Sequence, residues 1–416
     1  MRSHYRSFDR SPDEFDTADA EARQQWGAGD RIGAINRLLG LINKAPRQRK
    51  PTTVVLQVAC CFFRLGDYPA AVRMLDDHLM LKPRNGECLL NAALCYTRMG
   101  QAQAAIERAQ GVLAVTVNEP RALELLTVNL FQTGRYDAAA DAGTRVLLEK
   151  DRSAGSADQW RLPSDVTASA YAGAPGKRNV IAYSLWGNEL KYLRGAAHNL
   201  LLAPALYPGW QMRFYVDETV PADFADLVND LGGVTVPMTE TDSRFGKLGQ
   251  RFRVANDPGV GRFLIRDAHA VFSRREVLAV HTWIASNRWF HVVRDWWTHT
   301  EVVRPGLWGG VAGVLPDLAT EQAAYQRDFG GDNGRESAEL GSRFVQSRLW
   351  PYVRQSCLTL DRCFNMPGTV RIPGKLPEGV VYIGQDEFSV RKEAQEQLLA
   401  PWIAKYACLR EQKAGS

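Results

Sequence analysis

The chain has 416 residues, of which 45% are hydrophobic and 23% are charged, and its formal net charge is +5. This length predicts two or three domains that can each bury a core, and the composition is that of a globular protein. With so small a positive charge and no nucleic-acid-binding motif, we expect no nucleic-acid partner.

The sequence also indicates where the protein resides. Residues 1–16 lack the apolar core of a signal peptide, and no apolar run approaches the ~18 residues of a membrane span. The seven cysteines include no Cys-x-x-Cys pair. We therefore expect a cytoplasmic protein without a membrane span, whose thiols are reduced and buried.

The first third of the chain is repetitive. A glycine and, five residues later, an alanine recur at intervals of 34 residues: Gly66, Gly100, Gly134 and Ala71, Ala105, Ala139. This pattern resembles tetratricopeptide repeats, in which each unit is a pair of antiparallel helices. The glycine ends the first helix, and the small alanine lets the two helices approach closely. We predict about four helix pairs over residues 12–150, after a disordered segment at residues 1–11.

Stacked helix pairs form a curved solenoid whose concave face commonly binds a peptide or a protein. We therefore expect a protein or peptide partner in the groove of the repeats. The alternative is an array that only shields the following domain or makes it dimerise.

Residues 151–178 are predicted to form a linker. They are rich in Ala, Ser, Gly and Asp and carry no amphipathic period. The linker is either a long solvated connection or a segment that Trp160, Leu162 and Tyr171 hold along the surface of the next domain.

From residue 179 the pattern alternates between strands and helices. The predicted elements are strands at 179–184, 210–216, 233–237, 262–265, 289–293 and 379–384, and helices at 192–205, 222–231, 344–349 and 393–409. A Ser-x-x-Glu capping box at Ser273 begins another helix. The alternation is typical of a parallel sheet with helices on its faces, so the predicted fold is an all-α solenoid followed by an α/β domain.

Polar side chains follow two of the predicted strands. Asp267 and His269 come after strand 262–265, and Asp295 and His299 come after strand 289–293. Ligands of open α/β sheets bind at the carboxyl ends of the strands. The two strand ends are therefore expected to converge on one polar site.

Residues 180–387 resemble a family of bacterial and plant glycosyltransferase-like proteins of the GT-A fold. The family's first strand ends in Ser-Leu-(Tyr/Trp)-Gly, and a Gly-Ala-x-x-Asn helix follows. Its later motifs are Arg-Asp-x-Asp, Phe-His-x-x-Arg-Asp and Trp-Gly. The matching segments here are Ser184–Gly187, Gly195–Asn199, Arg266–His269, Phe290–Asp295 and Trp308–Gly309. The resemblance implies a GT-A-like domain over residues 179–390, with a C-terminal helix in residues 391–416.

The resemblance further implies a nucleotide-sugar donor and a divalent metal, Mn or Mg. Breaking the sugar–phosphate bond leaves a diphosphate whose growing charge a cation can neutralise. The residues implied to bind the donor are Ser184, Trp186, Gly187, Arg251, Arg266, Trp308 and Gly309. The implied metal ligands are Asp267, His269 and Asp361, and the implied catalytic residues are Asp295 and His299.

Each of these residues also has a structural alternative. Asp267 can cap the next helix, and Arg251 and Arg266 can pair with local carboxylates. Asp295 can form a salt bridge with the adjacent Arg294. His299 can be a hydrogen-bonded surface histidine. The glycines after residue 305 can simply form a turn.

The sequence departs from the family at three places. His269 stands where the family has the second aspartate of Arg-Asp-x-Asp, although histidine is still a tolerable metal ligand. Gly341-Ser342 stand where the family has Asp-Gln, and Leu360 stands in place of the histidine of a His-Asp pair. Either the metal is held through His299 or Asp361, or the site no longer turns over. We therefore expect a glycosyltransferase that modifies an acceptor, namely a protein recruited by the repeats. The alternatives are a catalytically degenerate domain that acts as a nucleotide- or sugar-binding or protein-interaction adaptor, and a pure scaffold.

Overall fold

The computed structural model describes residues 5–9, 19–46, 49–156, 161–238, 244–329, 337–372, 382–385 and 392–411. The chain divides into two compact units. The first comprises Met1–Ser153 with Phe364–Met366, and the second comprises Ala154–Cys363 with Pro367–Ser416. Within the described ranges, no helix is both long and apolar enough to cross a bilayer.

The first unit is built from antiparallel helix pairs. The helices described are α1 Ala20–Gly27, α2 Arg31–Lys44, α3 Thr52–Arg64, α4 Tyr68–Leu79, α5 Gly86–Arg98, α6 Ala102–Val115, α7 Pro120–Gln132 and α8 Tyr136–Ser153. Each helix packs on the next one in the chain, and α5 also contacts α7. The helix-pair prediction is confirmed.

The period of 34 residues has a direct structural cause. Gly66, Gly100 and Gly134 have φ angles of +79°, +71° and +74°, a left-handed conformation that ends the first helix of a pair and favours glycine. The three alanines five residues later are fully buried between helices. Burial also raises the pKa of the Cys88 and Cys95 thiols in this core to about 12.

The second unit contains a mixed sheet. Its strands are β1 Arg178–Leu185, β2 Trp210–Val216, β3 Val234–Pro237, β4 Val260–Arg266, β5 Phe290–Arg294, β6 Leu307–Val311, β7 Cys357–Asp361 and β8 Val370–Arg371. Their order across the sheet is β3-β2-β1-β4-β6-β5-β7-β8. Among the strands that the structure describes, only β6 runs antiparallel to its neighbours, β4 and β5. An α/β domain therefore follows the repeats.

Helices surround this sheet. They are α9 Ala168–Ala172, α10 Leu190–Leu206, α11 Asp223–Asp230, α12 Arg244–Gly249, α13 Arg274–Ser286, α14 Leu318–Phe329, α15 Ser337–Phe344, α16 Trp350–Val353 and α17 Lys392–Lys405. Short 3-10 helices lie at Gln250–Asn256, Arg354–Ser356 and Ala407–Leu409, and a π-helix lies at Val345–Leu349. The side chains of α10, α11 and α17 share one apolar cluster with β1 and β2, so the last long helix belongs to the core of this unit.

Two predicted elements differ from the structure. For residues 306–310 a turn is one of the alternatives, but residues 307–310 belong to β6, which lies between β4 and β5. Of the predicted last strand, residues 379–381 lie outside the described residues, and residues 383–384 form a turn.

Part of the predicted linker is packed against the second unit. The Tyr171 ring lies edge-on to Trp289, with the centroids 5.6 Å apart, and the Tyr171 hydroxyl donates to the carbonyl of Gly313. Trp160 lies outside the described residues.

Candidate functional site

A cavity of about 250 Å³ opens at the carboxyl ends of β1 and β4. It is lined by Ser184, Leu185, Trp186, Glu189, Tyr192, Leu248, Gly249, Arg251, Phe252, Asp267, Ala268, His269, Arg304, Pro305, Gly306, Gln322 and Gly341. Five of the residues selected from the sequence are in this set: Ser184, Trp186, Arg251, Asp267 and His269.

The first wall of the cavity is the end of β1. The Ser184 hydroxyl accepts a hydrogen bond from the backbone N–H of Arg251 at 3.0 Å and donates to the carbonyl of Leu248 at 3.2 Å. Ser184 therefore fixes the segment that carries Arg251. Gly187 lies outside the cavity lining, and its N–H donates to the hydroxyl of Thr219 at 2.7 Å.

The polar centre of the cavity is an ion pair between Arg251 and Asp267. Arg251 Nη1 lies 2.6 Å from Asp267 Oδ1 and 2.7 Å from the carbonyl oxygen of Arg266. Arg251 is 2% exposed, whereas the Asp267 side chain is 36% exposed. Burial raises the pKa of Asp267, but the Arg251 guanidinium and the neighbouring His269 outweigh burial and lower that pKa to about 2. Asp267 is therefore ionised at any ordinary pH.

Three nitrogen-bearing side chains around this pair have unused donor or acceptor capacity. Among the described residues, Arg251 Nε and His269 Nδ1 are buried without a hydrogen-bond partner. Arg304 also lines the cavity, and its charge contributes to the low pKa of Asp267. The His269 ring lies edge-on to Tyr192 at 5.6 Å. The cavity thus offers two guanidinium groups and an imidazole around the Asp267 carboxylate, and Glu189 is a second carboxylate in the lining.

Helix α10 positions the loop that carries Asp267 and His269. A Cβ atom on Gly195 would lie 2.2 Å from the carbonyl oxygen of Ala268, so only glycine allows this close approach. One turn later, the fully buried Asn199 donates to the carbonyl of Ala270 at 2.8 Å and accepts from the N–H of Phe272 at 2.9 Å. The Gly-Ala-x-x-Asn segment therefore supports the cavity without lining it.

The predicted catalytic residue Asp295 is buried away from the cavity. Its carboxylate is fully buried and accepts hydrogen bonds from Arg275 at 2.7 Å, from Arg362 and from the N–H of Ile383 at 2.9 Å. Two guanidinium groups and one amide thus occupy its oxygens. This matches the structural alternative, although the partners are not the adjacent Arg294.

His299 and Asp361 lie in the same buried region. Asp361 accepts from Arg294 Nε at 2.7 Å and from the N–H of Cys363 at 2.9 Å. His299 Nδ1 accepts from the N–H of Asp295 at 3.0 Å. Burial lowers the pKa of His299 well below its usual value, and nearby arginine charges add to this, so the ring is neutral. Neither residue lines the cavity.

Three predicted donor-binding residues belong to the core. Arg266 is 1% exposed and donates to Glu276 and to the carbonyl oxygens of Ile265 and Trp308. Trp308 is fully buried, and Gly309 lies inside β6. Arg266 does not line the cavity, and its Nε and Nη1 atoms bind groups of the core, in contrast to the phosphate clamp expected from the resemblance.

The expected convergence of two strand ends on one site is not seen. Because β6 lies between β4 and β5, their ends are about 10 Å apart, which is two strand spacings. Asp267 and His269 reach the cavity, whereas Asp295, His299 and Asp361 are engaged below the surface.

The donor set does not fit a divalent metal held by the protein. Within the described residues, no group of three or more His, Cys, Asp or Glu side chains is arranged to hold an ion. Asp267 and His269 are the two predicted ligands that line the cavity, and Asp267 already pairs with Arg251. Such ions prefer several oxygen ligands, and the neighbouring guanidinium groups repel cations.

Several cavity residues were not selected from the sequence: Glu189, Tyr192, Arg304 and Gln322. Arg304 had a usable signal, because it precedes Pro305 and the strand that carries the Trp-Gly motif. Gly341 also lines the cavity. The position at which the resemblance leads one to expect an aspartate is thus part of this wall, and the glycine adds no negative charge there.

The comparisons with known proteins concern the first unit. Residues 62–128 match the family model described as tetratricopeptide repeat. No curated protein sequence is significantly similar to the chain.

Several solved structures resemble the repeats. Desulfovibrio magneticus MamA is 16% identical, with a TM-score of 0.29 over 34% of this chain and 82% of that chain. A tetratricopeptide repeat protein of Parabacteroides merdae is 20% identical, with a TM-score of 0.31 over 34% and 55%. One of Thermus thermophilus is 21% identical, with a TM-score of 0.26 over 30% and 69%. The family match and the observed helix pairs together identify the N-terminal part of the chain as a tetratricopeptide-repeat array.

Proposed function

We propose that the α/β unit binds a nucleotide-sugar in the cavity at the ends of β1 and β4, and that the repeats recruit the protein with which this ligand is used. The observation that carries the proposal is the set of Arg251, Arg304 and His269 around one ion pair. The resemblance of residues 180–387 to GT-A glycosyltransferase-like proteins supports the choice of ligand. Tethering a partner to the same chain would raise its local concentration near the ligand.

Charge supports a diphosphate in this position. A guanidinium group donates two parallel hydrogen bonds to phosphate oxygens, and such charge-assisted bonds are about twice as strong as neutral ones. In the part of the chain that the structure describes, the Arg304 guanidinium makes no hydrogen bond or ion pair, so its donors are available. We infer that the arginines themselves neutralise the diphosphate, without a metal held by Asp267 and His269.

Calorimetric titration with uridine and guanosine diphosphates tests this proposal. We expect Arg304→Met to weaken binding by roughly 10- to 100-fold, the loss of one hydrogen-bonded charge. The matched control is Arg253→Met, because Arg253 lies on the same segment as Arg251 but outside the cavity. EDTA should leave the affinity unchanged. Equal affinity of Arg304→Met and wild type, or no binding of either nucleotide, would contradict the proposal.

Asp267→Asn separates the arginine-held ligand from a metal-held ligand. Asp267 is charged at neutral pH, so the substitution removes a negative charge that repels phosphate. We therefore expect equal or tighter diphosphate binding, with or without manganese. A metal ligand at Asp267 would give the opposite result, a loss of manganese-dependent binding.

A second candidate function is transfer of the sugar, as expected from the resemblance. It is favoured by His269, which lines the cavity and has an unpartnered Nδ1 that could accept a proton from an acceptor hydroxyl. Such activity would appear as slow release of free sugar from a bound nucleotide-sugar, and chromatography would detect the released sugar. We expect His269→Asn to abolish this release and to weaken diphosphate binding less than Arg304→Met does, because a charged guanidinium group makes the stronger contact with phosphate. If the wild-type protein releases no measurable sugar, the α/β unit is a degenerate domain that binds the nucleotide-sugar without transferring the sugar.

A further inference from the structure

The segment Tyr5–Asp9 lies across the first helices of three successive repeats. Its residues contact α3, α5 and α7 and the end of α6, although the segment itself is neither helix nor strand. Phe8 and Ser7 are each 3% exposed. This order contrasts with the disorder expected for residues 1–11. Within the repeat unit, the segment therefore has the position of a bound peptide.

One asparagine holds the backbone of the segment. Asn91, on α5, donates from Nδ2 to the carbonyl of Arg6 at 2.9 Å and accepts at Oδ1 from the N–H of Phe8 at 2.9 Å. Asn91 is fully buried. A side-chain amide bonded to both a carbonyl and an N–H recognises a peptide backbone whatever its sequence.

Two aromatic rings anchor the segment. The Phe8 ring packs on Phe63 of α3, with the centroids 5.6 Å apart. The Tyr5 hydroxyl lies 2.7 Å from the hydroxyl of Thr116. The Tyr5 ring lies where a side chain would be at Gly86, since a Cβ there would be 2.1 Å from the ring. The surface is thus shaped to admit an aromatic side chain at this point.

Charges at both ends of the segment are matched. Arg6 Nε donates to Glu87 of α5 at 2.7 Å, and Asp9 pairs with Arg121 of α7. The Arg121 and Asp9 side chains are only 13% and 16% exposed, so this pair is screened less than a surface pair. The surface therefore selects a basic residue, then an aromatic one, then an acidic one.

We propose that this surface is the partner-binding groove of the repeats and that Tyr5–Asp9 occupies it as an internal competitor. The partner is a protein segment of the same chemistry: an aromatic and a basic residue, followed by phenylalanine and an acidic residue. Such a partner binds only when Tyr5–Asp9 leaves the groove. The inference rests on the part of the proposed function that gives the repeats a protein partner, and it does not depend on the nucleotide-sugar.

The experiment uses the full chain and a fluorescent peptide with the sequence of residues 3–12. Phe8→Ala in the chain removes the anchor of the internal segment but leaves the groove intact. We expect the peptide to bind this variant roughly tenfold or more tightly than wild type, because the groove is then open in a larger fraction of molecules. The matched control is Tyr136→Ala, an aromatic 56% exposed and outside these contacts, which should bind like wild type.

A peptide carrying alanine in place of its phenylalanine should lose binding to the Phe8→Ala chain. Equal binding of the two peptides, or of the wild-type and Phe8→Ala chains, would overturn the proposal. Asp9→Arg provides a second variant if Phe8→Ala fails to fold, since it reverses the charge facing Arg121 and should also open the groove. Diphosphate titration of the same variants tests the α/β unit separately. A failure of the groove proposal can therefore be distinguished from a failure of the nucleotide-sugar proposal.

Discussion

Arg266→Met should destabilise the α/β unit by about 3–5 kcal/mol, the usual cost of removing one partner of a buried ion pair. The variant leaves the carboxylate of Glu276 without its partner, and both side chains are at most 3% exposed. It also removes donors from the carbonyl oxygens of Ile265 and Trp308. If Arg266 instead clamped a phosphate, the variant would keep its stability and lose only nucleotide affinity.

Urea unfolding followed by tryptophan fluorescence measures this effect. Ten of the eleven tryptophans lie in residues 154–416, so the signal reports mainly on the second unit. The double variant Arg266→Met/Glu276→Leu should lose less than the single one, because an apolar pair leaves no buried charge behind. A single variant as stable as wild type would refute the buried pair.

Asp295→Asn is the second substitution with a large expected effect, again about 3–5 kcal/mol. Without the carboxylate, Arg275 and Arg362 keep their charges but lose the group that compensates them. The loss should appear as a lower urea midpoint with little change in slope, because the surface exposed on unfolding stays similar. A catalytic role alone would give the reverse: full stability with lost activity.

The control for Asp295→Asn is an exposed carboxylate in the same unit. Asp328 pairs with Arg348 at 3.2 Å, and both side chains are more than 40% exposed. Because water and salt screen such a pair, Asp328→Asn should unfold at nearly the same urea concentration as wild type. If Asp295→Asn and Asp328→Asn unfold at the same urea concentration, the burial of Asp295 does not determine its contribution to the free energy of unfolding.

The helix pairs could be predicted because their signals are local. Gly66 and Ala71 are five residues apart, and the turn between the two helices of a pair accounts for both residues. Strand β6 was not predicted, because its glycines are explained only by contacts with other strands of the sheet. A Cβ on Gly309 would lie 2.4 Å from the carbonyl of Phe263, and one on Gly310 would lie 2.4 Å from the Phe290 ring. From the sequence, these two glycines suggest a turn. In the structure, glycine is needed at both positions because atoms of the neighbouring strands occupy the space that a side chain would fill.

The site was predictable only in part for the same reason. The rule that ligands meet strand ends selected Asp267 and His269, which do line the cavity. The same rule selected Asp295, whose environment depends on Arg362 and Ile383, residues far along the chain. Sequence spacing cannot show that the Arg362 side chain and the Ile383 N–H donate to the Asp295 carboxylate. The order of Tyr5–Asp9 likewise depends on Asn91 and Phe63, which no local pattern connects to it.

The two units also differ in how far apart in sequence their contacting residues lie. In the helical unit, most packing joins each helix to the next in the chain, so structure can grow one hairpin at a time. In the α/β unit, Ile181 pairs with Leu264, and long stretches of chain must be closed into loops before this central pair of strands exists. Such non-local topology slows folding. Because the helical unit is synthesised first, it can form while the strands of the sheet are still being made.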